Sequence, residues 1–437
     1  MTPPPAPPRP APASSHPLLD ELRWRGLLAQ HTDGLSDALG RDMVSGYVGF
    51  DPSASSLHVG NLVPVMGLVH LQRHGHRPVF LAGGGTGMIG DPSGKLQERP
   101  LLSPDEIVAN TRLIRAQLER FVDTSGTNGA LVRDNAEWLA PLKAIEFMRD
   151  VGKHFTVNYM MQKESVKSRL EGGLSYTEFS YMLLQAYDYL QLYEREGVTL
   201  QLGGSDQWGN ITAGIELIRR TAAAESHALT FPLLTTASGS KFGKTEAGAV
   251  WLDPERTSPY RFYQFWINTD DRDVGRMLRF FTLLDRREIE ELDHATTDRP
   301  EAREAQRTLA RDVTGRVHSG AALRAAEEVS ALLFGKAEPR TLSPVALQLL
   351  EREIPTFYLV LHGLLTTNDL LSAISGEGLL FKSRGEARRA LDQGGLYVNE
   401  ERLSADLAHD LGNTIMQGGY IVVRKGARSY GLVRVRT

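Results

Sequence analysis

The chain has 437 residues, 41% of them hydrophobic and 23% charged, with no cysteine and a net charge of −4. That size suits about three packed domains, and the missing cysteine excludes disulfide scaffolds, thiol nucleophiles, thiolate zinc sites and iron–sulfur clusters. The charge excludes a globally basic nucleic-acid coat, and no apolar run approaches the roughly 20 residues of a membrane span, so a soluble, cytoplasmic protein is expected.

Residues 1–17 hold eight of the 22 prolines. Such a tract cannot donate a hydrogen-bond ladder and buries little, which predicts a disordered arm. It carries one charge, Arg9, and no apolar stretch, so it is not read as a targeting peptide.

From residue 18 the pattern alternates. Val44, Val48 and Phe50 fall on one face of a strand, Ser45 and Tyr47 on the other. An amphipathic helix over 62–74 and a strand over 78–81 follow. Ser103-Pro104-Asp105-Glu106 is a helix-start signature. A short strand is predicted near 131–132 and helices over 142–151 and 176–194. A strand over 198–202, a helix over 207–219 and a strand over 229–234 complete the series. Strands alternating with helices predict an α/β fold over 18–258, a doubly wound parallel sheet of the Rossmann type. Residues 259–335, rich in Arg, Glu, Leu and Ala, read as all-helical. Residues 336–370 read as a linker, loosened by Pro339, Pro344 and Pro355. Residues 371–437 read as a small α+β domain.

That last segment holds ten basic and seven acidic residues, a net of +3, which leaves −7 on the rest. Residues 420–437 contain Arg424, Lys425, Arg428, Arg434 and Arg436 and no acid. The asymmetry points to a polyanion at the tail; solvated surface strands account for it equally well.

Two glycine motifs mislead. Gly85-Thr86-Gly87-Met88-Ile89-Gly90 matches a dinucleotide fingerprint, but Asp91-Pro92 follows where a helix must open. These glycines imply only a backbone that something approaches closely. Gly239-Ser240-Lys241-Phe242-Gly243-Lys244-Thr245 is one residue short of a Walker A loop and precedes a short strand over 249–252. It reads as a mobile cationic flap, or as an ordinary charged loop.

The junction between the first core strand and its helix carries the chemistry. Asp51 to Asn61 lies where ligands bind in an open parallel sheet. A helix start there offers N–H groups to an anion, and His58 and Asn61 can donate to phosphate. Further on, Tyr181, Gln185 and Asp188 fall within about 60° of one another on a helix, opposite an apolar side of Phe179, Leu183, Ala186 and Leu190. That stripe faces either a cavity or solvent.

His58-Val59-Gly60-Asn61 and Lys241-Phe242-Gly243-Lys244-Thr245 together resemble the HIGH and KMSKS signatures of class I aminoacyl-tRNA synthetases. The stretches Tyr47–Pro52, Gly90–Lys95, Asp150–Phe155, Phe179–Asp188, Gly203–Asn210 and Phe262–Asn268 resemble bacterial tyrosyl-tRNA synthetases, and the match runs from about Leu18 to the C-terminus. The resemblance implies a tyrosine–tRNA ligase. Its substrates would be L-tyrosine, ATP with Mg2+, and tRNA(Tyr), with no tightly bound organic cofactor and no dedicated protein metal site. Tyr47 and Asp188 would bind the phenol; Asp91, Tyr181 and Gln185 the ammonium; Gln207 the substrate. Asp51, His58, Gly60, Asp206 and Lys244 would contact ATP. His58, Asn61, Ser53, Lys241, Lys244 and Thr245 would stabilise charge on the phosphates. Lys95 and Arg99 match basic positions that assist pyrophosphate, where plain surface cations are the alternative.

The chain departs from the pattern at Asn61 for the last His, Ser53 for a usual Thr, and Phe242-Gly243 for Met-Ser. Residues 259–335 would be the anticodon-binding domain. The tail resembles a small ribosomal-protein-like RNA-binding module, with Lys382, Arg384, Arg388 and Arg389 toward tRNA. The family is a homodimer, with residues near 130–170 at the interface. The competing readings are a small nucleotidyltransferase, disfavoured by the length, a non-catalytic RNA-binding derivative, disfavoured by the intact pocket residues, and a tryptophan-specific relative.

Overall fold

A computed structural model describes residues 16–91, 93, 102–163, 166–167, 173–239, 242–245, 248–335, 337–361, 363–427 and 429–436, with Lys244 and Thr245 described through their backbone. The arm up to residue 15, Lys95, Arg99, Lys241 and Arg428 lie outside the described residues. Contacts divide the chain into two compact units. One runs to Asp253 and includes Asp270–Ala305; the other comprises Pro254–Thr269 and Gln306 onward. The expected helical segment is therefore shared between them.

The first unit is built on a six-stranded sheet. Its strands are β1 (Gln30–His31), β2 (Ser45–Phe50), β3 (Arg77–Ala82), β4 (Leu131–Asp134), β5 (Val198–Gly204) and β6 (His227–Phe231), in the order β1-β6-β5-β2-β3-β4. Strands β2 to β6 pair in parallel, and β1 lies antiparallel on β6. The chain winds outward from β2 through β3 to β4, then returns to the other side of β2 with β5 and β6. The switch point thus falls between β2 and β5, and in such sheets the ligand crevice opens beyond the strand ends there.

The helix Leu62–Arg73 is not amphipathic as expected: nine of its residues are buried, from Leu62 through Leu71. It packs against β2, β3, β5 and β6 and also against the helices Pro17–Arg25 and Asp271–Phe281, so little of it meets solvent. Gly67 permits this, since a Cβ there would come within 2.0 Å of the Phe231 ring. The helix Pro104–Leu118 begins as its sequence signature requires, with Ser103 and Glu106 closing a capping box. The strand expected over 249–252 is shorter. β7 (Lys244–Thr245) and β8 (Gly248–Ala249) form a small hairpin, and the next residues bond elsewhere.

In the second unit, residues 337–355 are not a loose connection. A 3-10 turn spans Pro339–Thr341 and a helix spans Pro344–Glu353. Ser343 accepts the Ala346 N–H as N-cap and Pro344 sits at N1, the one place where proline starts a helix instead of breaking it. The C-terminal sheet also begins before residue 371. β9 (Thr356–Val360) pairs in parallel with β13 (Ser429–Arg436) at the edge of the order β11-β10-β12-β13-β9, where β10 is Leu396–Val398, β11 Glu401–Arg402 and β12 Tyr420–Lys425. Phe357 joins Leu370, Phe381, Leu391 and Ile421 in that unit's core.

Candidate active site

The β2 strand ends at Phe50, and Asp51 follows at its carboxyl end. Beyond β3 comes the glycine loop, and here its closeness has a cause. A Cβ on Gly83 would lie 2.3 Å from Asp51 Oδ1, and one on Gly84 2.3 Å from Asp134 Oδ1. What the loop approaches is the protein's own carboxylates.

The His58 turn is a 3-10 helix, Val59–Asn61, leading into Leu62–Arg73. His58 Nδ1 accepts the Gly60 N–H at 3.0 Å, and Asn61 Oδ1 accepts the His58 N–H at 3.0 Å. This reciprocal box pins Asn61 by its carbonyl oxygen, which leaves the amide NH2 as the end able to donate. The return leg of the flap is stitched to the same turn: Val59 donates to the Val250 carbonyl at 2.9 Å and Leu252 to the Leu57 carbonyl at 2.8 Å. His58 meets the Trp251 ring edge-on at 6.1 Å.

One cavity of about 760 Å3 gathers Tyr47, Asp51, Ser53, His58, Gly60, Asn61, Asp91, Tyr181, Gln185, Asp188, Asp206 and Gln207 among its walls. The polar stripe of the helix Tyr176–Glu196 therefore faces this cavity and not solvent. Its apolar side packs as expected, with Ala186 and Leu190 in the core and Phe179 and Leu183 against it. Asp206 and Gln207 sit on a 3-10 turn directly after β5. Of the cationic residues expected here, Lys95, Arg99 and Lys241 are outside the described residues, and the side chains of Lys244 and Thr245 are not described.

Hydrogen bonds tie the walls together. Tyr181 donates to Asp51 Oδ2 at 2.9 Å and Thr86 to Asp51 Oδ1 at 2.8 Å. Gln207 donates to Asp91 Oδ2 at 2.7 Å, and Asn210 to Gln185 Oε1 at 3.0 Å. Asp188 accepts from Asn135 Nδ2 at 2.9 Å and from Trp138 Nε1 at 2.7 Å. Burial pushes the Asp188 carboxyl up to about 7, against the pull of those two donors. Burial also drives the Tyr47 phenol well above its ordinary range, with Asp188 adding to the shift. Tyr47 packs edge-on against Tyr189 at 5.3 Å. Its hydroxyl is buried and has no hydrogen-bond partner among the described residues.

Asn135, Trp138 and Thr86 carry no role in the sequence reading. Asn135 is 1% exposed and spends every polar atom: its NH2 reaches Thr86 Oγ1 and Asp188, and its oxygen accepts from the Gly85 and Thr86 N–H groups. The available signal was position. Asn135 follows β4 directly, at a strand's carboxyl end.

The expected polyanion face of the tail is largely spent internally. Arg424 pairs with Glu400, Lys425 with Glu386, and Arg434 with Glu351. Those acids come from other elements and offset three of the segment's cations, while Arg436 is exposed. On the helix Arg384–Asp392, Arg388 is half-buried and paired with Asp392, while Arg384, Arg389 and, just before the helix, Lys382 are exposed. Arg384 bonds Asn368 Oδ1.

A parallel sheet with a crevice at its switch point, walled by a histidine turn and by Phe242 and Trp251 from the two legs of the flap, is the body of a class I synthetase. The family model described as tRNA synthetases class I (W and Y) matches residues 41–335, and the chain belongs to that family. It is 54% identical over 423 residues to a tyrosine–tRNA ligase of Roseiflexus castenholzii, covering 96% of this chain and 99% of the relative. It is 49% identical over 421 residues to the tyrosine–tRNA ligase of Geobacillus stearothermophilus, covering 95% and 99%. Among solved structures, a C-terminally truncated mitochondrial tyrosyl-tRNA synthetase of Coccidioides posadasii is 32% identical with a TM-score of 0.63, over 72% of this chain and 91% of that one. A tryptophanyl-tRNA synthetase of Plasmodium falciparum shares the fold at a TM-score of 0.50 and 15% identity, over 70% and 84%.

Proposed function

We infer that the chain is a tyrosine–tRNA ligase. It joins L-tyrosine to ATP as tyrosyl-adenylate, releasing pyrophosphate, and then passes the tyrosyl group to the 3′-terminal adenosine of tRNA(Tyr), releasing AMP. The observation that carries the choice of amino acid is the buried pair Tyr47 and Asp188. An unpartnered hydroxyl and a carboxylate deep in a cavity suit a ligand hydroxyl. Against a ligand without one, the Tyr47 hydroxyl stays buried without a partner and Asp188 keeps only its two protein donors. Tyrosine against phenylalanine is the standing example of this rule.

The substrate carboxylate is already ionised and attacks the α-phosphorus, breaking the bond to the β-phosphate oxygen. No enzyme nucleophile is required. Catalysis then rests on position and on charge stabilisation. Asp91, Tyr181 and Gln185 hold the ammonium end, and Gln207 contacts the substrate. Asp51, Gly60 and Asp206 hold the adenosine. His58, Asn61 and Ser53 meet the phosphates from the turn, and Lys241, Lys244 and Thr245 from the flap, with Lys95 and Arg99 toward pyrophosphate. Among the described residues no group of three His, Asp or Glu side chains is placed to hold a metal ion, and Mg2+ is assigned to the nucleotide phosphates.

Residues 259–335 and the tail are assigned to tRNA, through Lys382, Arg384, Arg388 and Arg389. A homodimer is supported by exposed Ile145, Met148, Val157, Met161 and Tyr176, the first 73% and the last 75% exposed. Five large apolar side chains on neighbouring segments are costly to leave in water. Among the described residues no helix is long and apolar enough to cross a membrane, and a cytoplasmic location fits the substrates. ATP–pyrophosphate exchange with tyrosine, phenylalanine and tryptophan tests the reading. Exchange with tyrosine alone is expected; exchange with tryptophan alone, or with none, overturns it.

A further inference from the structure

The flap between β6 and Trp251 has two legs, and they are held by different things. The return leg is bonded to the His58 turn, as described above. The outgoing leg is bonded to the helix Asp271–Phe281. Asp273 Oδ2 accepts the Ala237 N–H at 2.9 Å. Arg276 donates one guanidinium nitrogen to the Thr235 carbonyl and to Asp273 Oδ1, the latter at 2.9 Å. The acid, the base and two backbone groups of the leg thus form one closed set. Five residues later the same leg returns: Phe242 donates its N–H to the Leu234 carbonyl at 3.1 Å and stacks on Phe281, centroids 5.2 Å apart and planes 19° apart.

The helix itself cannot give way easily. Val274, Met277, Leu278, Phe280 and Phe281 are all buried. Asp273 is 6% exposed, so its carboxylate is kept in place by the bonds it accepts. Directly after Phe242 comes Gly243, with φ 81°, where a Cβ would lie 2.8 Å from Val59 Cγ2. A small shift of the outgoing leg is therefore felt at the His58–Asn61 turn.

We propose that the helix Asp271–Phe281 is the flap's anchor, and that Asp273 and Arg276 are positioning residues for tyrosine activation, setting where Gly243 and the residues after it stand against the His58 turn. This rests on the reading of the chain as a tyrosine-activating enzyme. Neither residue lines the cavity, so neither is expected to touch substrate. Their effect should pass through the flap.

The test uses the full chain and single-turnover adenylate formation, with tyrosine affinity measured by equilibrium dialysis. Asp273→Ala is expected to slow adenylate formation by about tenfold, as a misplaced group does, with tyrosine affinity unchanged. Asp273→Asn keeps an oxygen for the Ala237 N–H and should recover most of the rate. The double variant Asp273→Ala with Lys244→Ala should be no slower than Lys244→Ala alone. Multiplying losses would mean that Asp273 acts independently of the flap and would overturn the proposal. So would an unchanged rate in Asp273→Ala, or a matching loss of tyrosine affinity. Should Asp273→Ala not fold, Arg276→Met carries the same expectations, since it keeps an unbranched side chain and loses both bonds. A wild type inert with tyrosine would sink the enzymatic reading, and this inference with it; an active wild type with multiplying losses sinks the anchor alone.

Discussion

Trp138→Phe isolates one bond in the tyrosine pocket. The indole Nε1–H donates to Asp188 Oδ1 at 2.7 Å, and phenylalanine keeps the ring while removing the donor. A hydrogen bond to a buried carboxylate is worth about 1.5–3 kcal/mol, or roughly one to two pKa units at 1.36 kcal/mol each. The bond favours the ionised form, so its loss raises a carboxyl already pushed up to about 7. If the phenol must donate to an ionised Asp188, tyrosine activation fails as pH falls through that value. In Trp138→Phe the acid limb should move up to roughly 8–9. The assay is the pH profile of kcat/KM for tyrosine in pyrophosphate exchange. Near pH 7 the variant should be about 5- to 50-fold weaker and should recover toward pH 9.

Stability supplies a second readout with a definite sign. The folded pKa lies above the unfolded 3.8, so the Asp188 term favours folding most at low pH and is lost as pH rises through the folded value. Trp138→Phe should therefore cost extra stability at alkaline pH, over whatever packing loss is constant with pH. An equal loss of activity at every pH, with an unmoved limb, would refute the role given to this bond.

Three further outcomes follow from the geometry. Tyr47→Phe removes a buried hydroxyl without a partner among the described residues and should raise folding stability by about 1 kcal/mol while weakening tyrosine affinity; calorimetric melting and dialysis read the two opposite signs. Gly67→Ala drives a methyl into the Phe231 ring and should destabilise by about 1–3 kcal/mol, seen as a lower urea midpoint. Replacing Lys382, Arg384 and Arg389 by glutamate should depress tRNA charging, leave exchange untouched, and flatten the salt dependence of tRNA binding by about 0.7–0.9 in log–log slope per lost contact.

Much of the body was legible because its signals are local. Ser103 and Glu106 announce their helix in four residues. Tyr181, Gln185 and Asp188 announce a facing through their spacing, and Phe179 and Leu183 supply the opposite wall. What stayed hidden depends on partners distant in sequence. Asn135 and Trp138 follow a strand of only four residues, and their use appears only when Asp188, some fifty positions on, is folded over them. Pro344 looks like a break until Ser343 is seen to cap its helix. Arg424 and Arg434 look like an RNA face until Glu400 and Glu351 arrive from other elements. The helix from Leu62 is buried for the same reason, since the distant helix Asp271–Phe281 and the helix Pro17–Arg25 cover it in addition to the sheet.

Asn135 sets a limit on how this pocket can drift. Its four bonds reach the glycine loop, Thr86 and Asp188 at once. Aspartate would keep the shape but set a second anion against Asp188, and serine or alanine would leave several buried groups stranded. A lineage seeking another amino acid therefore has no gradual route through position 135. It must rebuild the glycine loop and the phenol-reading carboxylate in the same stroke, or change the pocket from its other walls.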